Sequence, residues 1–222
     1  VSYYSKGALV ALALDLTLRR DSAHSLDDVV LALWHRFGAK EIGLPEDGFE
    51  VLAREFGGDG LADFFAVAVR GTGDIDLAAL LADFGIALTL RAAEGPKDSG
   101  GTPAATAETI RLGLGASFEP AGIGLKLVSV FESGPAQCAG LAPGDIIVAL
   151  DRYRVAVDNI GQRLTRYDDG DEVEVAYFRG DDLIDTSLTL ARAPLDTVYL
   201  AFDQNAGDQA RLRRTAWLGE SP

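Results

Sequence analysis

Few side chains in this chain are of a type and spacing that carry chemistry unaided. Its two histidines stand in Ala-His24-Ser and Trp-His35-Arg. Neither begins the His-Glu-x-x-His spacing that puts two imidazoles and a general base on one helix face. No three side chains have the spacing of a catalytic zinc site, so no metal ligand is expected among these residues. Cys138, the only cysteine, sits among small residues and reads as a packing residue that excludes an intrachain disulfide. The backbone offers more. Two glycine-containing stretches, Leu112-Gly113-Leu114-Gly115 and Gly122-Ile123-Gly124-Leu125, have the composition that lets successive N–H groups converge on one anion.

The elements that must position these groups fall into two blocks. Leu9, Val10, Leu12, Ala13, Leu14 and Leu16 make a helix from about Ser5 to Arg19 apolar on most faces, which predicts a buried helix of a larger protein. Ser25, with Asp28 three residues on, predicts the N-terminus of a second helix whose Leu26, Val29, Val30, Leu33 and Phe37 share a face. Further helices are expected from Asp47 to Phe56, from Leu61 to Val69 and from Asp76 to Phe84. Residues 85–91 alternate like a strand. Residues 1–91 thus read as an all-α helical bundle, and 92–109, small, polar and aperiodic, as a linker. A mixed α+β domain is expected over 110–193. In it, residues 123–131 form a strand, Asp158 caps a helix from Asn159 to Tyr167, and the alternating runs on either side of Arg179-Gly-Asp-Asp182 form a hairpin. Residues 194–222 would add one strand and a basic tail anchored by Trp217-Leu218.

The longest ordered signal is Glu132-Ser-Gly-Pro-Ala-Gln-Cys-Ala-Gly-Leu-Ala-Pro-Gly-Asp-Ile-Ile-Val-Ala-Leu150. Pro135 presets φ for a first helical position, Gly140 suits the left-handed end of that turn, and Pro143-Gly144 marks a second turn. Ile146 to Leu150 is too short for a helix and long enough for a buried strand. This order resembles the PDZ domains appended to bacterial proteases. The resemblance implies a module that takes a peptide or protein C-terminus as an added strand and holds its carboxylate on a glycine-containing loop. In such domains the loop precedes the first sheet strand, which matches Leu112, Gly113, Leu114 and Gly115. Ile160 and Leu164 would then line the pocket for the last side chain of the ligand.

Tyr4-x-Lys6-Gly7 at the head of the first helix resembles an element of thermolysin-like zinc aminopeptidases. With the Ser25-Leu-Asp-Asp28 helix, the short helices after it and a protease-type PDZ domain, the order is similar to the C-terminal part of the glycyl aminopeptidase family of metallopeptidases. That resemblance implies a bacterial hydrolase in which Tyr4 donates a hydrogen bond to the oxyanion, a task suited to a neutral phenol. It also implies zinc in the intact enzyme, held by a missing N-terminal part of the same enzyme, and inactivity of this portion alone. The absence of Met and the start at Val1 fit a fragment. Asp98-Ser99-Gly100-Gly101 imitates the nucleophile loop of chymotrypsin-like proteases, but helices precede it where two β-barrels would be needed.

Composition narrows the alternatives. A net charge of -14 argues against nucleic acid as a partner, and no apolar run is long enough to span a bilayer. Unpaired cysteine usage fits cytoplasm or periplasm alike. The competing reading is a non-catalytic PDZ adaptor that binds peptides, with the helices as scaffold.

Overall fold

The computed structural model describes residues 3–94, 98–103 and 112–219. It is mixed: helices dominate the first part of the chain and strands the second. Contacts divide the chain into two compact units, Val1–Leu88 with Leu200–Pro222, and Thr89–Tyr199.

The first unit holds α1 (Tyr3–Asp21), α2 (Leu26–Arg36), α3 (Gly48–Gly57), α4 (Leu61–Phe65) and α5 (Leu77–Ala82). α1 is buried on two sides by its own chain. Leu14 and Leu18 pack with Val29, Leu52, Ala53, Leu61 and Phe65, while Ala13 and Leu16 pack with Leu80, Leu81, Phe84 and Ile86. An all-round apolar pattern needs covering on every side, and here the second half of α1 is covered without any further protein. Its first half is not, since Leu9 is half exposed. α2 starts as its sequence foretells. Ser25 and Asp28 form a capping box in which Asp28 accepts from the Ser25 N–H at 2.8 Å. Val30 departs from the expected buried face and is exposed, because α2 turns Leu26, Val29, Ala32 and Leu33 to the core. The helix expected to reach Val69 ends at Phe65 and continues as a π-helical turn, Ala66–Arg70.

Ile86–Arg91 is β1. The second unit contains β2 (Leu112–Gly113), β3 (Ala116–Ala121), β4 (Gly124–Val130), α6 (Pro135–Cys138), β5 (Ile146–Leu150), β6 (Tyr153–Arg154), α7 (Ile160–Leu164), β7 (Glu172–Arg179), β8 (Asp182–Thr189) and β9 (Ala191–Arg192). The main sheet runs β3-β4-β5-β7-β8, all antiparallel neighbours, with β6 paired to β5 and a separate ladder of β2 with β9. One apolar cluster fills this unit, from Leu112 and Leu114 through Leu125, Ile147 and Val175 to Leu190. β10 (Thr197–Phe202) pairs with β1. α8 (Asp208–Leu218) closes the first unit, its Trp217 ring 5.7 Å from Phe84.

Half of the expected linker lies outside the described residues, but 98–101 do not behave as a loose tether. Arg91 grips Asp98 with two N–H groups at 2.6 and 3.1 Å. The same carboxylate accepts the N–H groups of Glu94 and Gly100, and Gly101 donates to the Val198 carbonyl. The Arg91 guanidinium and these two amides hold the Asp98 carboxyl well below the usual carboxylate range. An unfolded aspartate titrates near ~3.9, so the clasp contributes stability that is present above that pH and lost only as pH falls through the lower folded value. The Glu94 and Gly100 amides are expected to keep their exchange protection at pH ~4 and lose it on stronger acidification, whereas Asp98→Asn should abolish the pH dependence. Loss of protection already at neutral-to-mild acid pH would contradict the clasp.

Candidate functional site

The candidate peptide-binding residues come from three places in the second unit. Gly115 comes first. Its φ is +68°, and a Cβ there would lie 2.6 Å from Pro135 Cδ, so only glycine fits the corner that joins β2 to β3. The Leu114 carbonyl accepts from the Ala136 N–H at 2.8 Å, and the Gly115 carbonyl from the Phe131 N–H at 2.9 Å. A trans peptide points its C=O and the following N–H in opposite directions. The N–H groups of Gly115 and Ala116 therefore face away from α6 and the end of β4. Among the described residues, the N–H groups of Leu114 and Gly115 give no backbone hydrogen bond.

The second contribution is β3. Among the described residues it is an edge strand, paired to β4 on one side only, with a bulge opposite Ser117–Phe118 where Val128 is skipped. The third is α7, with Asn159 as its N-cap residue. Asn159 Oδ1 accepts the Ala156 N–H at 2.9 Å, so the turn into the helix rests on Asn159 and not on the expected Asp158. Ile160 and Leu164 point inward, at 4% and 6% exposure, into the cluster that also takes Leu112 and Leu114 and against which Ala116 and Phe118 pack.

The six residues singled out in the sequence are thus brought into one neighbourhood with different tasks. Leu112 and Gly113 pair with Arg192 and Ala191. Leu112, Leu114, Ile160 and Leu164 are core side chains, and Gly115 presents backbone. The other glycine stretch is placed elsewhere: Gly122-Ile123 is the turn of the β3–β4 hairpin, and Gly124-Leu125 lies within β4.

An ion pair between a buried carboxylate and a half-exposed guanidinium, not foreseen, fixes the loop between α6 and β5. Asp145 is buried, and Arg179 reaches it with Nε at 2.9 Å and Nη2 at 2.7 Å. The Ala142 N–H also donates to it at 2.8 Å. A buried carboxylate is tolerated when bidentate pairing and an amide satisfy its oxygens. The sequence signal was the Gly144-Asp145 pair before an apolar strand. Its partner, on a distant strand, left no local trace.

Tyr4 lies in the first turn of α1, 73% exposed, with its ring centroid 4.1 Å from that of Tyr3. Its phenol is exposed and shares a side-chain hydrogen bond with the Tyr3 phenol. His24 packs edge-on against Phe56 and sits 3.8 Å from Asp28, and His35 is exposed on α2. Among the described residues no group of three or more His, Cys, Asp or Glu is arranged to hold a metal ion. These residues therefore do not fit a catalytic zinc. No helix among them is long and apolar enough to cross a membrane.

Comparison with known proteins adds the following. Residues 113–190 match the family model described as PDZ domain. A search of curated proteins finds no match. Among solved structures, an aminopeptidase N family protein from Idiomarina loihiensis is similar over 100% of this chain and 36% of its own, with 31% identity and a TM-score of 0.89. The chain thus spans about a third of that protein's length. A serine endoprotease from Yersinia pestis is similar over 38% of this chain and 30% of its own, at 26% identity and a TM-score of 0.33. The PDZ domain of HtrA3, bound to a phage-derived ligand, is similar over 37% of this chain and 88% of its own, at 17% identity and a TM-score of 0.33. With the edge strand, the glycine corner and the short helix in place, the chain carries a PDZ domain over residues 113–190 and is similar along its whole length to part of an aminopeptidase N family protein.

Proposed function

We propose that this chain is a portion of a zinc aminopeptidase of the glycyl aminopeptidase type, in which the second unit binds the C-terminus of a peptide or protein. The observation that carries the binding proposal is the edge of β3, which no described strand pairs on its outer side, running out of a corner whose Leu114 and Gly115 N–H groups give no backbone hydrogen bond among the described residues. An extended peptide adding to that edge would gain ladder hydrogen bonds, and its carboxylate would meet two amides at the corner. Ile160 and Leu164 form the apolar wall behind the last side chain. The peptidase proposal rests on the likeness to the Idiomarina loihiensis aminopeptidase N family protein and on the surface of the first unit. Leu9, Val30, Leu31 and Trp34 are each half exposed or more, an apolar surface of the kind that the rest of a peptidase would cover. In that enzyme the zinc would be held by residues outside this chain, and Tyr4 would donate from its open phenol to the carbonyl oxygen of the scissile bond as charge develops there.

The binding proposal is tested by titrating the chain with a peptide that ends in an apolar residue with a free carboxylate, while following the backbone amide spectrum. The largest shifts are expected at Leu114 to Phe118 and at Ile160 to Leu164. Shifts centred on the opposite edge strand, β8, would move the site off this groove.

A further inference from the structure

Pro120 stands in the middle of the edge that the proposed ligand would use. Its place can be read from the pairing register. Ala121 pairs with Gly124 to close the hairpin, and Glu119 pairs with Lys126, Pro120 with Leu125, and Phe118 with Leu127. In an antiparallel ladder alternate residues turn their N–H and C=O to the partner strand, and those between turn them outward. A proline has no N–H to give its partner, so Pro120 belongs to the outward set, the place where a strand tolerates it. The bulge adds its extra residue, Val128, to β4 and leaves the alternation of β3 intact. Ala116, Phe118 and Pro120 therefore face the free edge, and Ser117, Glu119 and Ala121 face β4.

We infer that Pro120 sets the length of the peptide this domain reads. This rests on the reading of β3 as the ligand-binding edge. A C-terminal carboxylate held at Leu114 and Gly115 puts the last ligand residue opposite Leu114. The two-residue repeat then puts the third from last opposite Ala116, the fifth opposite Phe118 and the seventh opposite Pro120. Ala116 and Phe118 can each exchange two hydrogen bonds with the ligand. Pro120 has a carbonyl and no donor, and its ring occupies the space where a donor would reach across. Pairing therefore stops after the fifth residue. The ligand class is a free C-terminus recognised through about its last five residues, with upstream sequence left unread. The same proline would keep the edge from pairing with another copy of the chain.

The test is a nested series of N-acetylated peptides of three to nine residues, all ending in Ala-Val with a free carboxylate and extended upstream with threonine. It is titrated against the full chain and against Pro120→Val and Pro120→Ala. For the unaltered chain, affinity is expected to rise to five residues and then level off. In both variants the five-residue peptide should bind as before. The seven-residue peptide should bind about twofold to tenfold more tightly, the worth of one regained hydrogen bond. Sedimentation of each variant checks that it stays monomeric during the titration. A steady gain from five to seven residues in the unaltered chain overturns the inference while leaving the groove in place, as does an unchanged plateau in both folded variants. Failure of every peptide to bind the unaltered chain overturns the groove reading and this inference with it.

Discussion

Gly124→Ala is expected to unfold much of the sheet of the second unit at temperatures where the unaltered chain is fully folded. A Cβ on residue 124 would lie 2.1 Å from the Ile147 carbonyl oxygen and 3.0 Å from its carbon. Those atoms are backbone of β5, paired to β4 through Leu125 and Ile147, and both of these side chains are fully buried. No rotamer change can relieve such a contact. The strands must separate by more than an ångström, which opens the core at its tightest point. Overpacking of this kind costs about 3 kcal/mol or more where the backbone must move. Gly122→Ala is the control. It sits in the same hairpin with nothing within 4 Å of its added Cβ, so a change within about 0.5 kcal/mol is expected. Amide exchange over residues 125–130 and 146–150 should show protection lost in the first variant and kept in the second. Equal protection in the two would mean that β4 and β5 do not approach as closely as described.

Tyr4→Phe, made in the gene product that carries this chain, is expected to lower kcat by about a hundredfold with little change in KM, zinc content or stability. The expectation follows from where the side chain sits. Tyr4 is on the first turn of α1 and exposed, so removing its hydroxyl disturbs no packing. A donor that strengthens its hydrogen bond only as charge appears on the carbonyl oxygen acts on the transition state, and loss of one such donor costs about a hundredfold or more. A loss confined to KM would instead assign Tyr4 to uniform substrate binding. Unchanged kinetics would remove it from the site. Tyr3→Phe is the comparison, since Tyr3 lies beside Tyr4 with nearly equal exposure, reports what loss of the hydrogen bond between the two phenols alone does, and carries no catalytic role in the proposal.

Much of the fold could be read from local signals because local chemistry decides it. The capping box at Ser25 and Asp28 needs only residues three apart. Pro135 at a first helical position and the left-handed Gly140 were named by residue type, and each occupies that role; Gly144, named as a turn residue, is left-handed too. The β7–β8 hairpin turns at Gly180, again left-handed, between Arg179 and Asp182. What could not be read depends on partners far away in sequence. The covering of α1 by Phe84, and of Phe84 by Trp217, joins segments that only the folded chain brings together. Asp145 with Arg179 is another case, and so is the clasp of Arg91 on Asp98, within a stretch whose composition suggests a tether. At the candidate site, the run of glycines was visible in the sequence, and the positive φ that Gly115 adopts was not. Nor was the meaning of Pro120, since it depends on which side of β3 is left unpaired.

The central claim is that the corner at Leu114 and Gly115 holds a peptide carboxylate beside the free edge of β3. Calorimetric titration of the chain with one peptide in two forms, free acid and C-terminal amide, tests it most directly. The acid is expected to bind about tenfold to a hundredfold more tightly, the worth of hydrogen bonds to a charged group that the amide cannot replace. Equal affinity of the two forms would contradict it.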